Sequence, residues 1–68
     1  MTDDELKALK KEVSKKKRMA TDLASQIHDL VEDRLWSDYS ELTSLAEQTV
    51  TACKEWAEAN AQYDAASA

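Results

Sequence analysis

Sixty-eight residues with a formal net charge of −5, no glycine and no proline make one small domain at most, and the lack of breakers in an Ala-, Leu-, Glu- and Lys-rich chain favours long helices over sheet. Charged residues make up 34% of the chain, and no apolar run approaches the ~18 residues of a membrane span. The acidic balance argues against a general nucleic-acid binder, whose usual footprint is a basic domain.

The chain opens Met1-Thr2-Asp3-Asp4-Glu5, acidic where a signal peptide would be basic. The single cysteine, Cys53, cannot pair within the chain and suits a reducing compartment. The expected location is cytoplasmic. Thr2-Asp3-Asp4-Glu5 also reads as a capping box, with the Thr2 hydroxyl accepting from the Glu5 amide and the Glu5 carboxylate reaching back. Asp3 and Asp4 in the first turn complement the helix dipole. A helix is therefore expected over about residues 3–33.

Apolar residues recur along it at 3-4 spacing: Leu6, Leu9, Val13, Ala20, Leu23, Ile27 and Leu30, with Lys16 as the one polar intrusion. Such a helix would be ~45 Å long, and helices of that length pack on a neighbour. The pattern changes phase near Leu35. A corner over residues 33–38 is expected, with Ser37 or Asp38 capping a second helix over about 38–65. The alternative is one uninterrupted helix of more than ~60 residues, rising ~1.5 Å per residue from end to end.

The second helix carries Tyr39, Leu42, Ala46, Thr49, Cys53, Trp56, Asn60 and Tyr63 at the same spacing, a softer stripe than the first. Leu45, Val50, Ala52 and Ala57 flank it, as Ala24 and Val31 flank the first. The apolar face is thus wider than one seam uses. A short corner makes the helices antiparallel neighbours, placing Leu30 near Leu42, Ala20 near Cys53 and Lys16 opposite Trp56. The fold class expected is all-α: an antiparallel two-helix hairpin able to pair into a four-helix bundle or to dock on a partner.

Candidate sites are few. The run Lys10, Lys11, Lys15, Lys16, Lys17 and Arg18 could bind phosphates. The register puts Glu55 and Glu58 beside it, so an acidic protein partner is favoured over nucleic acid. His28 and Glu32 share one stripe at i, i+4, as do Asp29 and Asp33. They are too few and too exposed for a closed metal site, and no metal or cofactor is assigned. Cys53 is expected to be a buried structural thiol facing Ala20. Trp56 and Tyr39 read as core, and Trp36 at the corner either pins the loop or anchors a partner. There is no glycine loop, no paired ligand motif and no nucleophile with a base. An enzyme is not expected.

Leu6-x-x-Leu9-Lys10-Lys11-x-Val13, then His28-Asp29-Leu30-x-Glu32-Asp33-x-x-Trp36, then Leu45-Ala46-x-x-Thr49-x-x-Ala52-x-x-Glu55 together resemble the small Rop-like proteins encoded among nitrogen-fixation genes. The segment from His28 to Asp33 is the most specific part. The chain departs from that pattern at Arg34-Leu35, where the family usually has Leu-Pro, and at Val50 and Cys53, where its second helix is rich in tyrosine. The resemblance implies a helical hairpin and an accessory protein that docks on a nitrogenase component or a cofactor-assembly protein. The docking residues expected are His28, Asp29, Glu32, Trp36, Leu45 and Val50. A homodimer is possible when the chain is free. The alternatives are a Rop-like homodimer that binds RNA through Lys10, Lys11, Lys15, Lys17 and Arg18, and a small metal carrier.

Overall fold

The structure, a computed structural model, describes residues 2–68. Three helices follow one another: α1 (Asp3–Asp33), α2 (Leu35–Asp38) and α3 (Glu41–Ser67). α1 and α3 lie side by side and α2 is a single turn at the corner between them. The result is a rod with principal extents of 51 × 15 × 12 Å, and the single continuous helix is excluded.

Local chemistry sets the start of α1. Thr2 is extended (φ −76°, ψ 161°), and its hydroxyl accepts from the Glu5 amide at 3.2 Å. Asp3, Asp4 and Glu5 fill the first turn, where exposed amides favour negative charge. α1 ends at Arg34 (φ −132°, ψ 16°), whose N–H still donates to the Leu30 carbonyl at 2.8 Å.

With no glycine available, the chain turns without any positive φ among the described residues. It leaves the helix for one residue, Arg34, and then re-enters it. The Asp38 amide donates to the Arg34 carbonyl at 2.8 Å. The Arg34 guanidinium donates to Asp38 Oδ2 at 3.1 Å and lies 3.6 Å from Glu41 Oε2. Arg34 therefore touches all three helices. This corrects two expectations. The corner runs through Ser40 rather than ending at residue 38, because Leu35–Asp38 form a helical turn of their own. Asp38 does not cap the second long helix, because its carboxylate is taken by Arg34, and Ser40 makes no side-chain cap either.

Along α1 the expected stripe is the packed one. Leu6, Leu9, Val13, Lys16, Ala20, Leu23 and Ile27 are half-buried, Leu30 is fully buried, and the residues between them are exposed. Along α3 half of the expected stripe holds. Leu42, Thr49, Trp56 and Tyr63 face α1, but their companions are Leu45, Ala52, Ala59 and Ala66. Tyr39, Ala46 and Cys53 are exposed, and Asn60 is half-buried. Positions three and four residues beyond Leu42 lie on either side of the helix line, and both choices give mostly small or apolar residues. The seam takes the set that ends in alanines, since a methyl lets two backbones approach closely. Ala52 and Ala59 are accordingly 5% and 8% exposed. Cys53 is thus an exposed thiol, not a buried one.

Lys16 holds its seam position by leaving its ammonium at the edge, 3.7 Å from both Glu12 and Glu55. Trp56, half-buried on the facing helix, also lines a groove with Lys17. The Trp56 indole N–H is enclosed with no acceptor among the described residues. The two Lys16 pairs are long and partly solvated, worth ~0–1 kcal/mol. A leucine there would gain ~1–2 kcal/mol from burial. Lys16→Leu is therefore expected to raise the thermal midpoint by roughly 5 °C for a chain of this size. A scanning-calorimetry midpoint that stays level or falls would mean the ion pairs outweigh the burial.

Candidate docking surfaces

Three surfaces remain once the seam is formed. The first is the corner. His28 Nε2 lies 3.3 Å from Glu32 Oε1, and Nδ1 lies 3.8 Å from Asp29 Oδ1. All three side chains are about two-thirds exposed or more, and the contacts are ionic only when the imidazole is protonated. The i, i+4 spacing of one helix turn brings His28 and Glu32 together, and Asp29 is simply the next residue in sequence. Trp36, in α2, is 90% exposed. Its indole does not pin the corner, and Arg34 does that instead.

The second surface is the basic side of α1. Lys7, Lys10, Lys11, Ser14, Lys15 and Arg18 line one open, solvated strip. Among the described residues, Lys16 alone of the run is ion-paired with a carboxylate. The neutralisation expected from Glu55 and Glu58 reduces to the single Lys16–Glu55 contact. The reason is direction. Lys16 sits on the seam and points at α3, whereas Lys11, Lys15 and Arg18 leave α1 away from it.

The third surface is the pair of grooves flanking the seam, and they differ in charge. On one side Glu12, Lys16, Glu55 and Glu58 line one shallow groove, Leu23, Glu47 and Ala52 a second, and Arg34, Glu41 and Leu45 a third. That side is rich in carboxylates. On the other side an open groove of about 300 Å³ is lined by Lys17, Ala20, Thr21, Ala24, Thr49, Cys53 and Trp56, with no carboxylate.

The expected docking residues do not form one patch. His28, Asp29 and Glu32 cluster on α1, and Trp36 stands beyond them on α2. Leu45 is half-buried on the carboxylate-rich side of the seam, while Val50 is 53% exposed on α3. Sequence reading missed two contributors: Arg34 as the corner clamp and Cys53 as a groove residue. The Arg34, Asp38 and Glu41 spacing was a usable signal for the first. The second depended on the choice of phase in α3.

A family model described as Rop-like matches residues 4–68. Comparison with curated proteins and with solved structures returned no match. No helix among the described residues is long and apolar enough to cross a membrane.

Proposed function

The chain belongs to the Rop-like family, and from that premise we propose that it is a non-catalytic cytoplasmic accessory protein of nitrogen fixation, docking on a nitrogenase component or a cofactor-assembly protein. The observation that carries docking is how little the hairpin buries. Only Leu30, Ala52 and Ala59 are buried among the described residues, while Trp36, Tyr39, Val50 and Val31 are 90, 65, 53 and 44% exposed. Its accessible surface is 5202 Å², against about 4,300 Å² for a compact protein of this mass. Two helices also enclose no cleft that excludes water. The nitrogen-fixation assignment rests on the likeness of His28-Asp29-Leu30-x-Glu32-Asp33 and its flanks to proteins encoded with those genes. Docking without chemistry can still act on a partner, by preferring one of its conformations.

The test is co-purification from a tagged nitrogen-fixing strain, repeated with His28→Ala, Glu32→Ala and Trp36→Ala. Wild type should recover a nitrogenase-system protein. Trp36→Ala should lower recovery most, by tenfold or more if the indole is a central anchor worth ~2 kcal/mol. Recovery of RNA, or of no nitrogenase-system protein, defeats the proposal.

The unpaired basic strip of α1 favours a second reading, a homodimer binding RNA. Phosphate contacts by Lys10, Lys11, Lys15, Lys17 and Arg18 would make affinity fall steeply with salt, with a slope close to −1 per contact. A shallow slope with a protein partner separates the two.

A further inference from the structure

We propose that the carboxylate-free groove between α1 and α3 receives an acidic amphipathic helix of a partner protein. This rests on the docking reading above and names the chemistry of the docked element. Lys17, Ala20, Thr21, Ala24, Thr49, Cys53 and Trp56 make its floor and walls. Residues seven apart return to nearly the same side of a helix, so Lys10, Lys17, Ala24 and Val31 continue one wall and Ala46, Cys53 and Asn60 the other. The α1 wall is about 30 Å long at 1.5 Å per residue, matching a partner helix of ~20 residues.

Charge selects the occupant. The wall formed by α1 brings Lys10 and Lys17, neither of them ion-paired among the described residues. The groove itself offers no carboxylate to answer them. The acids near the strip stand at its end: Asp3, seven residues before Lys10 in the first turn of α1, and Asp64 of α3, whose Oδ2 accepts from Asn60 Nδ2 at 3.3 Å. The carboxylates Glu12, Glu47, Glu55 and Glu58 line the opposite grooves. A second copy of this chain would bring the same lysines, with Asp3 and Asp64 in return only at the strip's end. A helix with a Leu/Ala stripe and glutamates on its flank would satisfy both the apolar floor and the basic wall, and opposite charges across a rim set orientation and partner choice.

Cys53 makes the groove measurable, because it is the chain's only cysteine and is exposed. The probes are two synthetic 21-residue helical peptides with the same Leu/Ala stripe, one flanked by glutamates and one by lysines. Each is mixed with the full chain while Cys53 reacts with a maleimide. The glutamate peptide should slow labelling by tenfold or more at low salt, with the protection fading as salt rises, and the lysine peptide should not. Lys10→Glu with Lys17→Glu should reverse that preference. The inference is overturned if both peptides protect equally, if neither does, or if the free chain sediments as a dimer with Cys53 already unreactive. The two levels of the proposal fail separately. If the peptides discriminate but no nitrogenase-system protein co-purifies, only the nitrogen-fixation reading falls. If such a protein is recovered and Cys53 still labels freely in the complex, only the groove assignment falls.

Discussion

Leu30→Ala is expected to cost about 3 kcal/mol, within the ~2–5 kcal/mol range for deleting a buried leucine. Among the described residues Leu30 is the one side chain that is wholly enclosed, at 0% exposure. It lies at the end of α1 where the chain turns, so the removed methyl groups leave a void between α1, the corner and α3. The helical backbone there cannot easily collapse to fill it, because the Leu30 carbonyl is already held by the Arg34 amide at 2.8 Å. For a chain of this length 1 kcal/mol moves the thermal midpoint by roughly 4–8 °C, so a fall on the order of 15 °C is expected. Val31→Ala is the control. Its side chain is 44% exposed, and its loss should stay near ~0.5 kcal/mol. Both should be measured by thermal melts at one fixed protein concentration, because any self-association would make the midpoint depend on it. A Leu30→Ala midpoint within a few degrees of wild type would mean the corner repacks.

Ala52→Glu and Cys53→Glu are adjacent substitutions with opposite expected outcomes. Ala52 is 5% exposed in the seam, so a glutamate there buries an unpaired carboxylate and forces the helices apart. Leaving a buried charge without a partner costs ~3–5 kcal/mol, enough to unfold a domain this small. Cys53 is exposed on the groove side, and a glutamate there should change stability by no more than ~0.5 kcal/mol. Far-ultraviolet circular dichroism with urea titration reads both. If Cys53→Glu proved the damaging one, α3 would be rotated toward the Tyr39, Ala46, Cys53 and Asn60 stripe, and the groove assignment would fall with it.

Much of this protein was legible in its sequence because α1 is strongly one-sided. Leu6, Leu9, Val13, Leu23, Ile27 and Leu30 leave a single possible stripe, and Thr2 with Glu5 fixes where the helix begins. The absence of glycine and proline dictated helix nearly everywhere, and the phase break near Leu35 located the turn. α3 separates apolar from polar residues far less sharply, so periodicity alone left two stripes on offer, one through Ala52 and Ala59 and one through Cys53 and Asn60. Only packing against α1 decided between them, since the closest approach of two backbones selects the set with the smaller side chains. The tertiary structure also decided the corner, where Arg34 reaches Asp38 and Glu41 only once the chain has turned. It decided the charge of the two grooves as well. Which lysines are answered by carboxylates depends on the side of α1 each one leaves from relative to α3, and that relation exists only after the two helices have met.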